Sequence, residues 1–260
     1  MVKKLLLSPR PSLARYVSHM VVLEYQGGRG EVTLPLIANG HPSIVFQSIQ
    51  GSIAGRAVGY LSAYGQNKQP FPLMLKERFT LIACFLHPYF LQPFFGVRAS
   101  ELTDVCIDLE LLQPVWQRTI KERLLNAATL EQRLQLMEAL ILQLAGTGRE
   151  PARDVHAATA AIRKSEGCCS LAALQKDLRI TERSLQRLFE INIGLTPRMY
   201  GRICQFDAAF QQLNAHHFTR LSDIAYHHGY SDQSHFIRAF KEFALLTPSE
   251  YMQKAAAFTA

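Results

Sequence analysis

The amino-acid sequence predicts an α+β protein of two domains: an N-terminal β-sandwich or barrel with trailing helices, then an all-α domain with two helix-turn-helix units. Three observations predict it. Residues 5–110 alternate short segments rich in Val, Ile, Phe and Leu with Gly, Asn and Pro breaks, the pattern of a sandwich or barrel. After Pro88 the apolar period becomes helical. Near the C-terminus one stretch recurs at an offset of 51 residues, which marks a supersecondary unit used twice.

Taken in order, Pro11–Val17 reads as a short helix, because Leu13, Tyr16 and Val17 share a helical face. Strands are expected at Val17–Leu23, Glu31–Ile37, Ser43–Ile49 and Arg78–Leu86. Gly27-Gly28, Asn39-Gly40, Gly51, Gly65 and Pro70 separate them. Phe46, Tyr60, Phe79 and Phe85 either line a cavity or pack the core, and no effector-binding residue is assigned. Leu91–Phe95 and Ser100–Leu102 read as helical turns.

From Val115 to Leu144 the helical period is sustained, and Leu130, Leu134, Met137, Ile141 and Leu144 form a narrow seam. That seam either packs on its own domain's sheet or makes a homodimer contact through residues 115–145. The stretch Ala145–Ala152, with its Gly and Pro, reads as a linker. The expected division is a sensor or dimerisation domain at 1–148, a linker at 149–153 and a helical domain at 154–260. Asp154 is expected to cap a helix running to about Lys164, ended by Gly167.

In the first repeat, Ser170 caps Leu171–Leu178 and Thr181 caps a second helix. Leu185, Leu188 and Phe189 form that helix's apolar stripe. Arg183, Gln186 and Arg187, at i, i+3 and i+4, share the opposite face, with Thr181 and Ser184 beside them. In the second repeat Ile224 and Ala225 face inward, Gly229 turns the chain, and Ser231 or Asp232 caps the next helix. Phe236, Ala239, Phe240 and Phe243 are apolar, while Gln233, Ser234 and Arg238 project outward, flanked by His235. The leading helices match at an offset of 50, so the second turn is one residue longer. Arg pairs bidentately with guanine and Gln with adenine; two such faces suit a reader of duplex DNA. Each repeat ends in Leu-Thr-Pro-x-x-Tyr, in which Thr caps a helix, Pro opens it and Tyr200 or Tyr251 folds back. Between the repeats, Met199–Leu213 reads as one long spacer helix.

Composition excludes more than it selects. The net charge of +7 and pI of about 9.3 suit an anionic partner. However, residues 1–153 carry +5 and residues 154–260 only +2, so DNA reading has to rest on local placement. Five cysteines without a CxxC pair or a secretory leader indicate reduced, buried thiols in a cytoplasmic protein. No run of 18 apolar residues suggests a membrane span. There is no GxSxG, P-loop or GxGxxG motif, and residues 1–153 hold only His19, His41 and His87. Catalysis, a metal and a cofactor are therefore not expected. His216-His217 and His227-His228 read as solvated or phosphate-contacting.

Residues 154–255 resemble the DNA-binding domain of the AraC/XylS family of bacterial transcription regulators. The resemblance rests on Gly-Tyr-Ser-Asp-Gln-Ser-His-Phe-Ile-Arg-Ala-Phe at 229–240 and on the two Thr-Pro-x-x-Tyr motifs. It implies seven helices and places the family's base-reading positions on Arg183, Gln186 and Arg187, then Gln233, Ser234 and Arg238. The chain departs from the pattern at Arg179 and Leu245, where the family has Gly, and at Gln205, where Arg is common. Ser12–Val17, Leu34-Pro35, the strand at 43–49 and Ala99–Asp104 resemble the family's N-terminal sensor-like domains, which implies a cupin-like β fold. The implied partners are double-stranded DNA, a small-molecule effector and RNA polymerase. Two other readings are an architectural DNA binder without an effector and a cupin-type enzyme fused to a DNA-binding domain.

Overall fold

The computed structural model describes residues 2–28, 30–112, 114–147 and 150–259. Its strands are β1 (Val2–Leu7), β2 (Val17–Tyr25), β3 (Glu31–Leu36), β4 (Ser43–Gln47), β5 (Gly51–Ile53), β6 (Arg56–Val58), β7 (Leu61–Tyr64), β8 (Phe71–Lys76), β9 (Phe79–Leu86) and β10 (Cys106–Asp108). They form two sheets, ordered β1-β2-β9-β4-β7-β10 and β3-β8-β5-β6. All pairs are antiparallel. The expected strands appear as β2, β3, β4 and β9.

The central strands β4 and β9 are buried along nearly their whole length, because each face of their sheet has its own cover. Val45, Leu81 and Ala83 point toward the smaller sheet and meet Val32, Val58, Leu73 and Leu75. The alternate residues Ile44, Phe46, Ile82 and Cys84 point the other way, toward the helices. Phe46 and Phe79 therefore lie in two different cores, and Phe85 stacks on His19 with ring centroids 4.5 Å apart. The four aromatics do not line one cavity. Pro35 and Pro72 face each other across β3 and β8, beyond the end of β5, so neither missing N–H breaks a ladder bond to a third strand.

Four helices follow or interrupt the last strands: α1 (Leu91–Phe95), α2 (Leu109–Leu112), α3 (Pro114–Asn126) and α4 (Leu130–Thr147). The long helical period is thus two helices, broken at residues 127–129. Met137, Ile141 and Leu144 of the seam are fully buried within the chain's own core, and Leu130 and Leu134 pack against it. Of the two readings of the seam, the intramolecular one holds. Arg133 of α4 donates to the Thr80 hydroxyl (3.1 Å) and lies 5.9 Å over the Phe46 ring, which seats the helix on the larger sheet.

Three local expectations need correction. Residues 11–16 form turns closed by bonds such as Leu13 N–H to the Arg10 carbonyl, 2.8 Å, and no regular helix develops. Helix α4 continues through Ala145, Gly146 and Thr147, because a terminal glycine on an exposed face does not unwind a helix already anchored by a buried seam. The linker's Gly148 and Arg149 lie outside the described residues. Asp154 is not the cap of the next helix, since Ala152 occupies that position; Asp154 sits in the first turn, where it favours the positive end of the helix dipole.

The C-terminal part contains, among the described residues, seven helices: α5 (Arg153–Lys164), α6 (Leu171–Leu178), α7 (Glu182–Asn192), α8 (Pro197–Asn214), α9 (Leu221–His227), α10 (Gln233–Ala244) and α11 (Pro248–Thr259). One buried apolar cluster runs from the larger sheet through α4 and α5 into α7, α8 and α10. The two halves therefore share a core. A short 3-10 helix, Ala99–Leu102, meets α7: the Thr103 hydroxyl donates to the Gly194 carbonyl, 2.7 Å. A β-carbon on Gly194 (φ 83°) would stand 2.6 Å from the Ala99 carbonyl oxygen, so only glycine allows this approach. On the other side, the Asn39 carbonyl accepts from Arg163, 3.4 Å, and Arg163 pairs with Asp207, 3.7 Å.

Next to Arg163 lie two histidines, His41 buried and His19 half-buried. His41 donates Nδ1–H to the Leu86 carbonyl, 2.8 Å, and its ring is 5.4 Å from that of His19. Burial, then Arg163, holds the pKa of both below the ordinary value, that of His19 at about 4. The unfolded chain binds protons that the folded chain refuses between about pH 6.5 and 4. This contribution is intact above the unfolded value and is lost as pH falls through that window. The melting temperature is expected to drop over it. His19→Gln should shallow that slope, measured by thermal denaturation across pH; an unchanged slope would remove His19 as its source.

Candidate nucleic-acid interface

Each repeat folds as a short helix, a turn and a longer helix. In the first, the Ser170 hydroxyl accepts from Ala173 N–H (3.3 Å) and starts α6, and Leu174 buries its face. Arg179 ends α6 in the left-handed region, φ 55°, in the place usually given to glycine. Thr181 then caps α7, accepting from Ser184 N–H at 3.2 Å. Leu185 and Phe189 are buried, while Arg183, Ser184, Gln186 and Arg187 are exposed on the opposite side. Gln186 donates to Glu182, 3.1 Å, along that face.

In the second repeat α9 opens with Arg220 N–H bonded to Asp223, 2.8 Å. Gly229 takes φ 72°, and Asp232, not Ser231, caps α10 through His235 N–H at 2.7 Å. That backbone bond is the first cause, and the Ser231 hydroxyl the second, of a depressed Asp232 pKa. Five residues separate α9 from α10 and three separate α6 from α7, so by helix bounds the second turn is longer by two. Gln233, Ser234 and Arg238 are exposed; Phe236, Ala239, Phe240 and Phe243 are buried. His235 is only half-exposed, its ring edge-on to Tyr230 at 5.2 Å.

Both outer helices are fixed to α8, which spans roughly 27 Å at 1.5 Å per residue. Thr196 caps α8 and Pro197 opens it; the Met199 N–H bond is 3.1 Å. At one end Tyr200 is buried with its ring 5.8 Å from Phe189 of α7. Further along, Phe206 packs edge-on to Phe240 of α10 at 5.4 Å and lies 5.2 Å from Phe243. Tyr251 folds back onto Phe210 at 5.0 Å and donates to Asn214, 2.8 Å. Thr247 and Glu250 cap α11 reciprocally, at 2.7 and 3.3 Å. Gln205, in the place of the expected Arg, donates to the His228 carbonyl at 2.8 Å and ties α8 to the second turn.

Leu245, in the place of the expected Gly, still adopts the left-handed conformation, φ 59°, and is 59% exposed. The loop keeps its shape at the expense of strain, about 1–2 kcal/mol for an L-residue there. Leu245→Gly is expected to stabilise the chain by about 0.5–1 kcal/mol, since glycine also enlarges the unfolded ensemble. Denaturant titration checks this; destabilisation would mean the Leu245 side chain packs better than its exposure indicates.

Sequence reading missed one grouping. His228 is buried, with its ring nitrogens 2.8 Å from Glu166 and 2.7 Å from Gln212. Burial lowers its pKa against the pull of Glu166. Of the five cysteines, Cys84 and Cys204 are buried and Cys168 is exposed, so not all the thiols are internal. No helix among the described residues is long and apolar enough to cross a membrane.

Comparison with known proteins places these observations. A helix-turn-helix domain model matches residues 174–254, and a domain of unknown function, DUF6597, matches residues 6–108. No curated protein matches the chain. Among solved structures, ToxT from Vibrio cholerae is similar at a TM-score of 0.52 and 10% identity, covering 90% of this chain and 97% of that one. Unsaturated fatty acid-bound wild-type ToxT from strain SCE256 is similar at 0.51 and 12%, covering 90% and 94%. ToxT from strain O395 bound to (E)-4-(8-methylnaphthalen-1-yl)but-3-enoic acid gives 0.52 and 10%, covering 90% and 97%. At these identities the likeness is one of fold.

Proposed function

We propose that this chain, whose residues 174–254 match a helix-turn-helix domain model, is a sequence-specific DNA-binding transcriptional regulator of the AraC type, controlled at its N-terminal half. The observation that carries this reading is the pair of capped helices, α7 and α10, each with an exposed polar face and both packed on one spacer. Arg183, Gln186 and Arg187 read one segment of major groove; Gln233, Ser234 and Arg238 read the next. Thr181 and Ser184 suit phosphate contacts beside them. His235, half-buried against Tyr230, is the least available of the set. Residues 1–148 act as the sensor domain, 149–153 as the linker and 154–260 as the DNA-binding domain.

Two of the similar ToxT structures hold an unsaturated fatty acid or a naphthalenyl butenoic acid. By extension, the N-terminal half here takes a small apolar or mixed ligand. The core shared between the halves supports transmission of that binding to α7. RNA polymerase is the partner that such a regulator engages. A homodimer through 115–145 has to use the outer faces of α3 and α4, since the seam itself is buried. Catalysis is assigned to no residue.

The test is selection of binding sites from random duplex DNA by the full chain. The expected product is one asymmetric site with two preferred blocks about 10 base pairs apart. Salt-sensitive binding with no enriched sequence would point instead to an architectural binder. Thermal-shift screening then finds the effector, because a ligand of the folded state raises the melting temperature by mass action.

A further inference from the structure

Among the described residues, one group of side chains outside the reading faces can converge on a cation. Glu166, His227 and His228 offer ligand atoms that all lie within 4.8 Å of one another. Glu166 sits in the turn after α5, in the left-handed region at φ 50°. His227 ends α9, and His228 follows it, just before Gly229 and the cap of α10. Glu166 and His227 are exposed and His228 is buried, so the group is reachable from solvent and anchored from within.

His228 stands between two hydrogen-bond acceptors. Nδ1 faces the Glu166 carboxylate at 2.8 Å, and Nε2 faces the Gln212 Oε1 at 2.7 Å. The Gln212 amide is oriented by its own N–H, which donates to the His217 carbonyl at 2.8 Å. Both ring nitrogens therefore point at acceptors. A neutral imidazole has one N–H. With that proton given to Gln212, the Nδ1 lone pair confronts a carboxylate across 2.8 Å. In that tautomer a second ring proton or a metal ion relieves the contact; with the proton on Nδ1 instead, Nδ1–H donates to Glu166 and Nε2 is left facing the Gln212 oxygen. The His227 ring stands edge-on to His228, centroids 4.8 Å apart, and supplies a third donor on the same side.

We propose that Glu166, His227 and His228 form a zinc-type metal site, with Gln212 orienting His228 from behind. Two imidazoles and one carboxylate are a donor set that zinc and its imidazole-binding relatives take, with a remaining position for water. A hydrogen bond from the second ring nitrogen is how ligand histidines are held. The exposed Glu166 and His227 need only rotate inward to reach bonding distance of about 2.0–2.2 Å. Bound metal would clamp the end of α5 to the turn that launches α10. It would thereby hold the second helix-turn-helix unit in place independently of DNA.

The test uses the full chain, stripped with chelator and titrated with Zn²⁺ against a competing chromophoric chelator. One equivalent is expected to bind and to raise the melting temperature. His227→Ala and Glu166→Gln should each weaken binding by about tenfold or more without changing the circular dichroism, because both side chains are exposed. Gln212→Leu should weaken it less. Cys168→Ser should leave it unchanged, and Co²⁺ substitution should show no thiolate charge-transfer band. Absence of stoichiometric binding overturns the proposal and leaves a proton between His228 and Glu166. So does binding that survives both His227→Ala and Glu166→Gln, or that is lost in Cys168→Ser.

Discussion

Phe206→Ala is expected to cost about 3–5 kcal/mol and to release the second helix-turn-helix unit. Phe206 lies midway along α8, is fully buried, and touches Phe210, Phe240 and Phe243. Alanine there leaves a void bounded by three aromatic rings on α8 and α10, which cannot close without moving one helix. The loss has two parts: the transfer energy of the ring and the cavity it leaves. Denaturant unfolding measures the total. Hydrogen exchange locates it, with α9 to α11 expected to lose protection before the N-terminal sheet. Phe206→Leu should recover much of the stability by refilling the space. Uniform loss of protection across both halves would mean that the shared core fails as one unit and that α8 is not a separable bracket.

The second large effect concerns binding. Arg187→Ala and Arg238→Ala are each expected to cost about 1–3 kcal/mol on the selected site. Both arginines are exposed on capped helices, so their loss leaves the fold intact. If each contacts a base edge, each substitution relaxes preference only at its own few base pairs, and the two affected positions fall about one helical turn apart. A phosphate contact behaves differently: it weakens all sequences alike and reduces the salt dependence. Repeating the site selection with each variant separates the cases. Unchanged sequence preference in both variants, with only salt-sensitive affinity lost, would remove the base-reading assignment. A silent Arg238→Ala alone would make the second unit a backbone anchor. The longer turn before α10 and the strained Leu245 after it make that unit the weaker of the two.

Much of the C-terminal architecture was legible because its signals are local. Thr181, Thr196 and Thr247 each cap the helix they precede, and Ser170 does the same for α6. A cap needs only a hydroxyl and an amide three residues on, so it can be read from a short window. The face that each helix buries follows from the 3.6-residue period, which places Leu185 and Phe189 inside and Arg183 and Arg187 outside. Where this reading slipped, the neighbourhood outweighed the local rule. Arg179 and Leu245 hold left-handed turns without glycine because the packed helices on either side over-determine the path. Strands β5, β6, β7 and β10 have three or four residues each, too few for alternation to stand out.

By itself, then, the sequence determined the two-part α+β class, the duplicated helix-turn-helix, the caps and the polar faces of α7 and α10. The caps and the polar faces are set by residues within one or two helical turns of one another, and the duplication by a repeat at an offset of 51 residues. Only the tertiary structure decided what the apolar faces meet. Periodicity says that Met137, Ile141 and Leu144 share a stripe, but not whether a sheet or a second chain covers it; the shared core does. It also decided that Thr103 meets Gly194, 91 residues away, and that Glu166 meets His228, 62 residues away. Such contacts leave no period in the chain. They arise because close packing fixes where each helix lies to within the length of a hydrogen bond.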